Sequence, residues 1–130
     1  MPAHRFEYAV VRVVPRVERE EFINVGVILY CRSLDFLDAR IALDRDRLRA
    51  LFPGAVPDLD DLERALSMIP RICAGDPGAG PIAALDLPER FRWLSATRST
   101  VPQVSPVHTG LCDDPAKMLD HLMARMVATG

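Results

Sequence analysis

Between Glu21 and Cys31 the chain reads Glu-Phe-Ile-Asn-Val-Gly-Val-Ile-Leu-Tyr-Cys, and from Val25 to Tyr30 it is apolar at almost every position. Side chains of a strand alternate between its two faces, so such a run needs cover on both. It must be a central strand packed on both sides, or a strand with one face at an interface. Gly26 inside it marks a bulge or a close backbone approach. A natural neighbour precedes it. From Phe6 to Val14, Phe6, Tyr8 and Val10 share one strand face with Arg12, while Ala9, Val11 and Val13 share the other. Pro15 has no N–H for a ladder and ends that strand. The short charged link Arg16–Glu20 favours an antiparallel hairpin. Phe36–Leu43 is a third strand that completes a meander.

Helical spacing takes over afterwards. Asp44 is a good N-cap for a short helix over Arg45–Phe52, and Pro53-Gly54 stops it. Pro57-Asp58 opens a longer helix with the stripe Leu59, Leu62, Leu66, Ile69 and Cys73. Pro70 kinks or ends its last turns. Gly75–Pro81 is dense in turn residues and reads as a flexible loop. Pro88–Ala96 gives one or two helical turns anchored by Phe91, Trp93 and Leu94. Ser99–Val104 is a weaker fourth strand. Asp114-Pro115, an N-cap followed by proline, starts a last helix running to about Ala128. Strands first and helices after imply an α+β fold. We expect an antiparallel sheet of three to four strands packed against two to four helices in two layers. The 130 residues form one domain.

Composition narrows the function classes. The chain is 49% hydrophobic and 26% charged, within the globular range. A formal charge of -2 argues against general affinity for nucleic acid, which needs a basic footprint. No apolar run approaches the roughly 20 residues that span a bilayer. The N-terminus has no apolar signal core, which points to the cytoplasm. Fifteen of the sixteen basic residues are arginine, a side chain suited to bidentate grip on carboxylate or phosphate. The three cysteines form no CxxC and suggest neither a disulfide framework nor a zinc ribbon.

The densest chemistry lies in Arg98–Pro115, a segment without helical spacing between two helical patterns. Arg98, Ser99, Gln103 and Ser105 can hold an anion or a partner; the competing reading is that they satisfy backbone groups along an irregular stretch. His108 and Cys112 are a conceivable base and nucleophile. Asp113 and Asp114 oppose a thiolate there, and we read Cys112 as a small apolar plug. His108 stays with the binding set. Metal-ligand spacing is absent, so neither a metal nor another cofactor is expected. In the hairpin, Arg12 sits on an otherwise apolar face and needs a partner, for which Glu21 across the hairpin is the natural choice.

Two blocks carry a resemblance. The first is Tyr8-Ala-Val-Val-Arg-Val-Val-Pro15 with Glu21-Phe-Ile-Asn-Val-Gly-Val-Ile-Leu-Tyr30. The second is Arg90-Phe91, Arg98-Ser-Thr100, Gln103, Ser105-Pro-Val107 and Thr109-Gly-Leu111. Together they resemble a bacterial domain-of-unknown-function family, number 3037. That family carries no assigned activity, and the resemblance implies proximity to HipA-like kinase-fold proteins and hence a partner role. It also groups Arg12, Glu21, Asn24, Arg98 and Ser99 into one cluster. The expected function is a non-enzymatic binding or adaptor module. Its composite polar site comprises Arg12, Glu21, Asn24, Arg98, Ser99, Gln103, Ser105 and His108. Its partner is a protein such as a HipA-like kinase, or a second copy docked through the doubly apolar strand. The alternative is a small enzyme or ligand-binding protein for an anionic metabolite.

Overall fold

Strand β2 (Glu21–Cys31) pairs antiparallel with β1 (His4–Arg16) on one edge and β3 (Phe36–Ile41) on the other, so it is the central strand its sequence requires. The computed structural model describes residues 3–16, 21–54, 58–96 and 102–127, with the backbone alone at 15, 16 and 21. Val27, Leu29 and Cys31 point to one side of the sheet; Ile28 and Tyr30 point to the other. Helices α1 (Arg45–Leu51), α2 (Leu59–Cys73) and α3 (Leu87–Leu94) cover the Ile28 side. Helix α4 (Pro115–Met126) covers the Val27 side, where its Leu119 and Leu122, with Val127 just beyond, meet Phe6, Val27 and Leu29. Each such side chain contributes roughly 1.5–3 kcal/mol on burial. The fold is α+β as expected, but the sheet lies between helices instead of forming one of two layers. Both apolar faces of β2 are covered within the chain over Val25–Cys31.

One residue more on β2 than on β1 sets the local geometry. Val11 is opposite Gly26 and Arg12 is opposite Asn24, leaving Val25 as a bulge. The bulge lets Val25 join the α1–α3 core with Ile23, and its carbonyl accepts the Ala42 N–H at 2.7 Å. Gly26 is there because a Cβ would lie 2.6 Å from the Arg40 carbonyl oxygen. A second shift falls between Val13 and Arg16, around Pro15, so the strand runs past the proline with an altered ladder.

The outer edge of β1 is lined by two short strands. Strand β4 (Pro102–Val104) pairs with Val11–Val13, and β5 (His108–Cys112) pairs with His4–Tyr8. The sheet therefore has five strands rather than three or four. Ser105-Pro106-Val107 lie opposite only Ala9 and Val10, and Pro106 brings no N–H. Ser105 repairs the ladder. Its N–H donates to the Val10 carbonyl at 2.8 Å, and its hydroxyl accepts the Val10 N–H at 2.9 Å. The hydroxyl then donates to the Pro106 carbonyl at 2.8 Å. Farther along, Gly110 leaves room for the Phe6 ring, which a Cβ would meet at 2.6 Å.

The helices share one starting device. Asp44, Asp58, Asp86 and Asp114 each accept backbone N–H groups of the first turn, and proline follows in α3 and α4. Pro70 does not stop α2, which continues to Cys73. Its end is set by Gly75 at φ 72° and by Arg90 of α3, whose Nη1 donates to the carbonyls of Ile72 and Cys73 at 3.0 and 2.9 Å. Gly75–Pro81 is more structured than a flexible loop. Two 3-10 turns, Pro77–Ala79 and Pro81–Ala84, follow Asp76, which accepts the Gly78 N–H and holds Arg71 at 2.8 Å. In α3, Phe91 and Leu94 are buried and Phe91 stacks on Tyr30 at 5.2 Å. Trp93, two positions from Phe91, turns outward and is 39% exposed.

Ser105→Ala would strand the Val10 N–H inside the sheet. Urea denaturation should show a loss of about 1–3 kcal/mol; an unchanged midpoint would mean that the hydroxyl is dispensable to the ladder.

Candidate functional site

The antiparallel register brings three of the expected site residues together. Arg12 on β1 is directly opposite Asn24 on β2 and Gln103 on β4. Directly opposed residues share a face, so Asn24, Arg12 and Gln103 form one row across three strands. The row lies on the α4 side of the sheet, continuing the apolar series Phe6, Tyr8 and Val10 beyond the region that α4 covers. The Asn24 Nδ2 donates to the Met126 carbonyl at 3.0 Å, tying the row to the end of α4. The Arg12 guanidinium lies 4.1 Å from the ring centre of Phe22, which is 46% exposed. Among the described residues, the buried Nε of Arg12 and Oδ1 of Asn24 have no hydrogen-bond partner. A buried polar atom left so costs about 1–3 kcal/mol.

The other expected residues are distributed differently. Glu21 is opposite Arg16, not Arg12; Asn24 takes the position opposite Arg12. Ser105 is 2% exposed, and its hydroxyl is used within the ladder, so it is withdrawn from any recognition surface. His108 is opposite Tyr8, with ring centres 5.3 Å apart. That is four residues along β1 from Arg12, about 13 Å at strand rise. Arg98 and Ser99 lie outside the described residues.

The strand conformation also separates His108 from Cys112. Four residues apart in a helix they would be neighbours; in β5 they stand about 13 Å apart. Cys112 is buried against α4, and burial followed by the nearby Cys31 pushes its thiol pKa up, away from a nucleophile's. Cys31 donates toward the Arg5 carbonyl at 3.5 Å. Burial raises Cys73 to about 12. All three cysteines are free. No group of three or more His, Cys, Asp or Glu that could hold a metal ion occurs among the described residues. No helix among them is long and apolar enough to cross a membrane.

A second polar concentration was not anticipated from the sequence. A cavity of about 840 Å³ opens where the α1–α3 layer stops short of one end of the sheet. Its walls include Arg5 and Glu7 of β1, Tyr30 of β2, Arg32 and Ser33 just after it, and Arg92 and Ser95 from α3 and its end. Burial raises the Tyr30 phenol pKa, against the pull of Arg32. The signal was present in the strand pattern: the face of Ala9, Val11 and Val13, extended backwards by twos, passes through Glu7 and Arg5. A face that is apolar under the helices turns charged where they end.

The fold and the row together define a class: an α+β domain whose mixed-length antiparallel sheet carries helices on both faces and a polar row at the uncovered end of one. A family model for proteins of unknown function, DUF3037, matches residues 8–127, nearly the whole length, and the chain belongs to that family. No curated protein and no solved structure matches it significantly.

The Cys73 thiol gives a pH prediction. The unfolded chain releases this proton near 9, whereas the folded protein holds it to about 12. The group's contribution to stability is complete below pH 9 and declines as pH rises through 12. Denaturation midpoints should therefore fall less steeply over that window in Cys73→Ala than in the parent protein; parallel pH profiles would contradict the assignment.

Proposed function

We propose that this protein is a non-enzymatic binding module that captures a protein partner through the Asn24–Arg12–Gln103 row, with Arg98 and Ser99 completing the surface. One observation carries the reading: Asn24, Arg12 and Gln103 occupy one row that continues the apolar series of Phe6, Tyr8 and Val10, and the buried Nε of Arg12 and Oδ1 of Asn24 lack partners among the described residues. Hydrophobic side chains there would extend the core at less cost. A partner presenting a hydrogen-bond acceptor to Arg12 and a donor to Asn24 would offset the expense. The exposed Phe22 stacked on Arg12 adds an aromatic and arginine pair, the composition in which interface energy concentrates. The resemblance drawn from the sequence makes a HipA-like kinase-fold protein the first partner to try.

Arg12→Gln should weaken capture of such a kinase-fold protein at least tenfold in surface plasmon resonance, while the thermal midpoint moves by no more than about 5 °C. Ser105→Ala serves as the contrast, lowering stability without altering capture by the folded fraction. Equal capture by the parent and Arg12→Gln proteins would refute the assignment of the row.

A further inference from the structure

We propose that the cavity beside α3 is a binding site for a multiply charged anionic small molecule, a phosphate ester or a polycarboxylate, gripped by Arg5, Arg32 and Arg92. Two independent features point there. The first is size: at about 840 Å³ the cavity falls within the range of sites for small ligands. The second is the state of its arginines. Elsewhere, Arg40, Arg45, Arg49, Arg64 and Arg71 each hold a carboxylate. Arg90 holds two helix carbonyls. Arg5, Arg32 and Arg92 hold no carboxylate among the described residues, yet all three line one cavity. Arg12, Arg47 and Arg125 are likewise without a carboxylate among the described residues, but none of them lines that cavity.

Three guanidinium groups around one space repel one another, and a dianion or trianion relieves that repulsion. Glu7 is the one carboxylate in the lining, and it leaves the balance positive in a chain whose formal charge is -2. Asp35 and Asp86 act on Tyr30 from the cavity's surroundings. Guanidinium forks match the paired oxygens of phosphate or carboxylate. The Tyr30 phenol supplies a neutral donor in the same lining, whereas the Ser95 hydroxyl donates to the Phe91 carbonyl and the Ser33 hydroxyl is bonded to His4. Tyr30 and Phe91, both buried and stacked at 5.2 Å, pack together in this part of the wall.

The test is isothermal titration calorimetry with pyrophosphate and, separately, citrate, at matched ionic strength. At least one should bind saturably with a stoichiometry near one. Binding of pyrophosphate alone assigns a phosphate ester, and binding of citrate alone a polycarboxylate. Arg32→Gln and Arg92→Gln should each weaken the bound probe about tenfold or more. Both side chains are exposed and hold no carboxylate among the described residues, so the variants should fold, which circular dichroism checks. Arg125→Gln, with the same loss of charge on α4 across the sheet, and Arg12→Gln should bind like the parent. The proposal is overturned if neither probe binds saturably, or if Arg125→Gln weakens binding as much as Arg32→Gln does. Because Arg12→Gln is spared here and impaired in partner capture, the two readings stand or fall separately.

Discussion

Strand β1 is paired along both edges, and that pairing is the constraint on which the other elements depend. One edge is simple, a hairpin with β2. The other is assembled from β4 and β5, two pieces of one segment that Pro106 prevents from being a continuous strand. A backbone donor left open inside a sheet is expensive, and a proline at the break would leave one on Val10. The Ser105 hydroxyl accepts that donor and donates its own hydrogen bond to the Pro106 carbonyl. With the ladder closed, Cys112 points to the α4 side and Asp114 is placed to start α4. The second face of the sheet is thus covered because the break in its edge strand is repaired.

Much of this was legible beforehand, for local reasons. The meander followed from alternation in Phe6–Val14 and from apolar faces in Val25–Tyr30. Asp44, Asp58 and Asp114 announced three helix starts because an N-cap is chemistry between near neighbours. Gly26 proved to mark both of its expected meanings, standing beside the bulge and under the Arg40 carbonyl. Pattern alone did not show which face each helix would choose, so α4 was placed with the others. The stripe of α4 says that it buries one side, but not against which side of the sheet. Nor did alternation reveal β5, since Thr109-Gly-Leu-Cys carries too few strand-forming residues; the pairing with His4–Tyr8 holds it in place.

The candidate site divides the same way. Arg12 was conspicuous as a charge on an apolar face, but its neighbour was misjudged: Asn24 comes opposite, and Glu21 pairs with Arg16 nearer the turn. Ser105 attracted attention for a real reason and turned out to serve the backbone. Arg5, Arg32 and Arg92 escaped notice because nothing in their local sequence unites them. They meet only after β1 and β2 are aligned and α3 is laid across them. The two polar regions occupy opposite faces of the sheet, one beyond the end of α4 and the other beyond the end of α3. Each begins where a helix ceases to shield the strands.

Arg90 gives α2 part of its ending from outside the helix. The Ile72 carbonyl accepts both the Gly75 N–H and Arg90, and the Cys73 carbonyl accepts Arg90, eighteen and seventeen residues later in the chain. The contact couples the two helices: lifting α3 would take the guanidinium from the Cys73 carbonyl, and unwinding the last turn of α2 would take from the Nη1 of Arg90 its two acceptors. The two helices and the 3-10 turns between them should therefore open together. Their slowest-exchanging amides should share a common opening free energy despite their separation in sequence.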